Sequence, residues 1–279
     1  MKEPLPPFAR RILQLALEED IGQGDITSNL LFDPGHICNA VLIAKAPLVL
    51  AGMPFAREVF RMVSEDITFN PLVQEGERVR RGTVLAQLKG PTKAILSAER
   101  VALNILQHLS GIATLTRAFV SKLKGLKARI TDTRKTIPCM RYLEKYAVRV
   151  GGGVNHRMGL YDGLLIKDNH IEALGSLAEA VSRARQGGYL SRVEVEVENL
   201  KEFQEALRAG ADVIMLDNMS LEDMAEAVRL NRSRAVLEAS GNITLENVRA
   251  VAETGVDFIS IGALTHSARA ADISLKLLR

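Results

Sequence analysis

The sequence predicts an α/β protein in which a closed or nearly closed (β/α) barrel follows an N-terminal α+β part. Three observations carry this. From about residue 128, short aliphatic strands alternate with helical segments. The strands all end in polar residues. The core must be aliphatic, because hydrophobic residues make up 47% of the 279-residue chain while aromatics make up only 4% and Trp is absent. Parallel strands buried on both faces read as such short aliphatic runs.

The first element is a helix over 8–19, FARRILQLALEE, with Phe8, Ile12, Leu15 and Ala16 on one side. Gly22 and Gly24 break it. Strand-like pieces follow: NAVLIAK, LVLAG, ITFNPLV and VLAQLKG. A helical run resumes at SAERVALNILQHLSGIATLTRAFVSKLKG. Within this part, VQEGERVRRGTVLAQLKG resembles the turn-rich repeat of lipoyl and biotinyl carrier domains. Lys89 lacks the flanking residues of an attachment site, so the piece is expected to be structural.

In the second part the strands are ARITDT, YDGLLIKD, VEVEVE, DVIMLD, AVLEASG and DFISIG, and the helices between them end in Gly-containing turns. No G-x-G-x-x-G follows a strand, which disfavours an open dinucleotide-binding sheet. In a barrel the carboxyl ends of the strands face the active site. Those ends carry Asp132, Thr133, Arg134 and Lys135; Lys167, Asp168 and Asn169; Asp217 and Asn218; Glu238, Ser240, Gly241 and Asn242; Ser260 and Gly262. VEVEVE sets Glu194, Glu196 and Glu198 on one face. Inward carboxylates need cations, and Arg134, Lys135, Arg157 and Lys167 can supply them. The loops SGNIT and SIGALTHS precede helical segments and suggest phosphate sites.

A net charge of +3, with no long basic block, argues against nucleic acid as partner. The best apolar segment is cut by Lys45 and Pro47, so no membrane span is expected. MKEPLPPFAR lacks the apolar core of a signal peptide. Cys38 and Cys139 read as reduced thiols, and a cytoplasmic location is expected. A metal hydrolase using His156, Asp168, His170 and Glu196 is disfavoured, because the histidines flank a strand. A binding-only barrel is disfavoured by the inward Glu196 and Asp217, which weaken anion binding.

The blocks EEDIGQGDITS, SAERVALNILQHLSGIAT, DTRKTIPCMRYLEKYAVRVGGGVNHRMGLYDGLLIKDNHI, VEVEVEN, IMLDNM, LEASGNIT and ISIGALTHS stand in one order along nearly the whole chain. In this the sequence resembles the quinolinate phosphoribosyltransferases, or nicotinate-nucleotide pyrophosphorylases (carboxylating). The resemblance implies a modified (β/α) barrel over 113–265 and an N-terminal α/β sandwich domain over 1–112, completed by a C-terminal helix over 266–279. It implies transfer from phosphoribosyl pyrophosphate to quinolinate with decarboxylation, giving nicotinate mononucleotide, pyrophosphate and CO2 with Mg²⁺, a step of NAD synthesis. It implies a homodimer or hexamer. Quinolinate would meet Arg134, His156 and Arg157, with Arg100 reaching in from a neighbouring chain. Lys135 and Lys167, with Thr133 nearby, would bind the phosphoribosyl phosphates. Glu196 and Asp217 would hold the ribose hydroxyls and, directly or indirectly, Mg²⁺. Ser240, Gly241, Asn242, Ile261, Gly262 and Ala263 would take the 5′-phosphate through backbone amides. A molybdenum-transport-associated relative of the same fold is the alternative reading.

Overall fold

The structure, a computed structural model, describes residues 5–187 and 191–278. Its strands are β1 Ile37–Ala44, β2 Leu48–Val49, β3 Thr68–Pro71, β4 Arg78–Val79, β5 Val84–Pro91, β6 Arg129–Thr131, β7 Leu164–Ile166, β8 Val193–Val197, β9 Val213–Asp217, β10 Val236–Ser240, β11 Phe258–Ser260 and β12 Ile273–Leu278. The chain divides into two compact units. One comprises 1–117, 136–152 and 267–279, and the other 118–135 and 153–266.

The first unit holds an antiparallel sheet in the order β12-β1-β5-β3 and a small β2-β4 ribbon. The expected first helix is Pro7–Ile21, started by Pro7 at a position where its missing N–H is harmless. A short helix over Ile26–Leu31, not anticipated from the sequence, is capped by Asp25, whose carboxylate accepts the Ser28 N–H at 2.9 Å. Helix Met53–Val63, also unanticipated, has Glu75 across its start. That carboxylate accepts the N–H groups of Gly52 and Met53 at 3.0 and 2.8 Å and the Tyr146 hydroxyl at 2.8 Å. Donors that the helix itself leaves unpaired are thus satisfied from a distant loop. Lys89 lies inside β5, opposite Asn39 and Thr68, not at a hairpin tip.

The end of the chain corrects one expectation. Residues 273–278 form β12, not part of a helix over 266–279, and pair antiparallel with β1 from Ala44↔Ile273 to Asn39↔Leu278. ISLKLL has Ile273, Leu275 and Leu277 at period two, and the β1 edge satisfies its backbone groups. A six-residue helix would be marginal without comparable packing. The terminal residues 1–4 and 279 lie outside the described residues. Residues 136–152, expected with the barrel, group with the first unit.

The second unit is the barrel. Its six parallel strands run β6-β11-β10-β9-β8-β7, and all six correspond to the strands read from the sequence. Val154 extends the sheet beyond β6 through a parallel bridge to Thr131. The crossover helices Leu177–Gln186, Leu200–Ala209 and Leu221–Asn231 are capped by the side chains of Ser176, Asn199 and Ser220. The apolar strand residues Val195, Ile214, Leu216, Ala239 and Ile259 are fully buried. Among their neighbours in sequence, on the opposite face, are Glu194, Glu196, Asp217, Glu238 and Ser240.

In the first unit, Gly111 of helix Thr92–Lys122 lies against the backbone of 269–270; a Cβ there would stand 2.1 Å from the Arg269 carbonyl oxygen. Gly111→Ala is expected to destabilise the protein by about 1–3 kcal/mol, because backbone must move to admit the methyl. Urea unfolding of wild type and variant checks this.

Candidate active site

Register decides which side chains share the inner face. Glu196 of β8 pairs with Met215 of β9, so Asp217, two residues on, faces the same way. Glu238 of β10 also pairs with Met215, and Ser240 with Asp217. Glu194 pairs with Leu165 of β7, which brings Lys167 to that face as well. The contact follows: the Lys167 ammonium is ion-paired with the Glu196 carboxylate. Glu198 leaves the series. It lies past the end of β8, is exposed, and its N–H donates to Glu202 at 3.0 Å.

The cationic side is built on Asp132, at the end of β6 and fully buried. Its carboxylate accepts the His156 N–H at 2.9 Å and the Asn155 side-chain amide at 2.5 Å, which fixes the NHR segment against the first strand. Arg157 donates through Nη1 to the Gly163 carbonyl at 2.9 Å. Its Nε is buried with no hydrogen-bond acceptor. Burial, then repulsion from Arg134, lowers the Arg157 pKa, while Glu194 opposes the shift. Two half-buried guanidiniums that repel each other invite an anion. The His156 imidazole Nε2 lies 3.0 Å from Glu194 and 3.8 Å from Glu238. Burial, and secondarily Glu194, pushes the Glu238 carboxyl up to about 7, with Asp132 adding to the shift and His156 and Ser260 opposing it.

The loops after β9 and β10 hold together through Asn218. Its N–H donates to the Ser240 carbonyl at 2.9 Å, its side-chain amide donates to Asp217 at 2.9 Å, and its Oδ1 accepts from Asn242 at 2.9 Å. Gly241 has φ +92°, and a Cβ on it would strike Asn218 Oδ1 at 2.2 Å, so this position suits glycine alone. Asn218 was noted at a strand end but given no role by the sequence; Asp132, Glu194 and Glu238 share that history. The helix after SGNIT starts only at Val248, and the one after SIG is Ala263–His266. Ser240 therefore ends β10, and Gly241 and Asn242 sit in the bend after it rather than at the helix's first turn, because Thr244–Asn247 form a separate turn closed by the Thr244 N–H on Asn247. The Ile261 N–H is committed to the Thr131 carbonyl at 3.0 Å. Gly262 leaves room for Lys135, whose Cδ a Cβ would meet at 3.1 Å. The Lys135 carbonyl accepts the Thr265 hydroxyl at 2.7 Å, and its N–H donates to Thr133 at 3.0 Å.

His170 does not join this constellation. Its Nδ1 accepts the Lys167 N–H at 2.9 Å and caps helix Asp168–Leu174. Arg100 lies on helix Thr92–Lys122 of the first unit and is exposed.

Two family models match the chain: quinolinate phosphoribosyl transferase, N-terminal domain, over residues 25–110, and its C-terminal domain over 112–276. The chain belongs to the quinolinate phosphoribosyl transferase family. A probable nicotinate-nucleotide pyrophosphorylase (carboxylating) of Bacillus subtilis is 46% identical over 95% of this chain and 92% of its own length. The nicotinate-nucleotide pyrophosphorylase (carboxylating) of Mycobacterium leprae is 42% identical over 96% of this chain and 97% of its own. A solved nicotinate-nucleotide pyrophosphorylase of Francisella tularensis superposes with a TM-score of 0.93 at 43% identity, covering 99% of this chain and 98% of that one. Family membership accords with a barrel whose inner face gathers both cations and carboxylates.

The Glu238 shift has a stability consequence. A carboxyl whose folded pKa lies above its unfolded value favours the protonated fold. That contribution is complete below the unfolded value near 4.5 and is lost as pH rises through about 7. Glu238→Gln removes the burden and is expected to stabilise the protein by roughly 1–3 kcal/mol at pH 8, with little gain at pH 4. Thermal unfolding at the two pH values, with a chelator present, checks the sign.

Proposed function

We propose that this enzyme transfers the phosphoribosyl group of phosphoribosyl pyrophosphate to quinolinate and decarboxylates the adduct, yielding nicotinate mononucleotide, pyrophosphate and CO2 for de novo NAD biosynthesis. The observation that carries the reading is Arg157 beside Arg134, with a buried Nε that no protein group accepts from. Quinolinate is a dianion, and a guanidinium fork suits a carboxylate. The family assignment supports this reading over the molybdenum-transport-associated alternative.

Arg134, Arg157 and His156 bind and orient the two carboxylates, so that the pyridine nitrogen faces the anomeric carbon. The nitrogen's lone pair forms the new bond as the bond to pyrophosphate breaks. Positive charge grows on the ribose, and Glu196 and Asp217 stabilise it. Lys135 and Lys167 take the phosphates, and Ser240, Gly241, Asn242, Gly262 and Ala263 cradle the 5′-phosphate, Ile261 being committed elsewhere. Breaking the bond to the 2-carboxylate leaves an electron pair beside the pyridinium nitrogen, which acts as its sink; a proton then replaces CO2. Little acid–base chemistry is asked of the protein.

Glu196 and Asp217 fit Mg²⁺ in donor chemistry. They are half-buried carboxylates on one face of adjacent strands, and Mg²⁺ commonly takes one or two carboxylates together with substrate phosphates. Mg²⁺ bound there supplies charge neutralisation at the pyrophosphate. Exposed Arg100 completes the site of a neighbouring chain in a homo-oligomer. A cytoplasmic location belongs to the same proposal, on the two free cysteines and the phosphorylated substrate.

With phosphoribosyl pyrophosphate and Mg²⁺, turnover is expected with quinolinate and not with nicotinate, read as pyrophosphate and CO2 release. No turnover with quinolinate, in folded protein that binds phosphoribosyl pyrophosphate, defeats the assignment. Arg157→Ala is expected to raise the KM for quinolinate about 10–100-fold, since a charged hydrogen bond contributes roughly 1.5–3 kcal/mol. The KM for phosphoribosyl pyrophosphate should stay nearly constant. Steady-state kinetics with each substrate varied in turn checks both.

A further inference from the structure

Two inner-face carboxylates have no part in the proposed reaction. Glu194 and Glu238 are buried, and with His156 they form a cluster whose ligand atoms all lie within 4.8 Å of one another. Side-chain exposure is 14% for His156, 10% for Glu194 and 5% for Glu238. The Oε1 of Glu238 points at the imidazole and accepts no hydrogen bond. An unsatisfied buried acceptor of this kind costs about 1–3 kcal/mol, more when charged. A cation between the three groups would satisfy it and relieve the carboxylate repulsion.

The donor set says which cation. One imidazole nitrogen with two carboxylates is a zinc-type set, whereas Mg²⁺ prefers six oxygens and keeps several waters. Zinc holds N and O donors at about 2.0–2.2 Å, so tetrahedral donors lie about 3.4 Å apart. The His156 Nε2 distances of 3.0 and 3.8 Å bracket that spacing. The main chain that carries the ring is held by the His156 N–H on Asp132. Arg134 and Arg157 oppose a cation here, but the carboxylates of Asp132, Glu194 and Glu238 outnumber them.

We propose that His156, Glu194 and Glu238 form a binding site for a divalent transition-metal ion of the Zn²⁺ type, separate from the Glu196 and Asp217 carboxylates. The ion has three protein ligands and one open position, and it places positive charge beside Arg157. Ligation takes the His156 Nε2, which faces Glu194 and Glu238, so with the ion bound the ring has only its other edge for quinolinate; the site itself stands on geometry and donor chemistry.

Equilibrium dialysis of the full chain against Zn²⁺, with Mg²⁺ in excess and no substrates, tests it. One Zn²⁺ per chain is expected in wild type. Glu238→Gln and Glu194→Gln, each verified as folded, should bind at least ten-fold more weakly, and Glu196→Gln should bind as wild type does. Absence of stoichiometric Zn²⁺ overturns the proposal, as does undiminished binding in folded Glu238→Gln or a loss confined to Glu196→Gln. Co²⁺ absorption of the wild type needs no variant. Visible ligand-field bands without a thiolate charge-transfer band support the His-carboxylate set, and a strong near-ultraviolet thiolate band would assign the ion to Cys38 or Cys139 instead.

Discussion

Charge confined to the inner face of a barrel is the constraint on which the rest of the second unit depends. Glu194, Glu196, Asp217 and Glu238 share that face by strand register alone. No rotamer choice can remove them without moving a strand by one residue, which would turn apolar Val195, Ile214 and Leu216 inward and the acids outward. The acids must therefore be met by cations where they stand. Lys167 is ion-paired with Glu196, while Glu194 has the His156 imidazole Nε2 at 3.0 Å. Arg157 lies close by, repelled by Arg134 and attracted by Glu194. Buried ion pairs of this kind are weak contributors to stability. Their value is that they keep polar groups poised inside a rigid aliphatic shell for a charged substrate.

The barrel was legible because its logic is local. Six aliphatic runs with polar ends announce six strands, and the alternation in VEVEVE points three acids to one face, of which Glu194 and Glu196 lie on the inner face of β8 while Glu198 falls beyond the strand's end. The cations were legible for the same reason: DTRK and IKDN sit where strands end. The partners were not. Glu238 in VLEAS reads as one more polar strand residue, and nothing near it in sequence says that His156, eighty-odd positions earlier, comes within 3.8 Å. Asn218 likewise reads as loop polarity in the sequence, which does not show that Gly241 lies against its side chain. His170 was the opposite case. It carried metal chemistry in its residue type, yet its ring nitrogen only caps a helix.

The miss at the chain's end has a similar cause. Whether ISLKLL becomes helix or strand depends on an open edge to pair with, and that edge is β1, more than two hundred residues away. The period-two placement of Ile273, Leu275 and Leu277 is too short to distinguish strand from helix by itself. Short helices failed in a related way. Ile26–Leu31 depends on the Asp25 cap, and Met53–Val63 starts under Glu75, a residue contributed from farther along the chain.

Asp132 links these themes. It is fully buried at the end of the first barrel strand, and its partners are the main chain of His156 and the side chain of Asn155. A carboxylate there costs desolvation and touches no proposed substrate group. Its effect is geometric. By holding the backbone of residue 156, it fixes where the imidazole projects, and Arg157, the next residue, inherits that fixed origin. The substrate recognition proposed for the two arginines would require that the guanidiniums stay near each other despite their repulsion. A tether through the backbone supplies this without using either side chain, which leaves the Arg157 Nε unspent and available for a carboxylate.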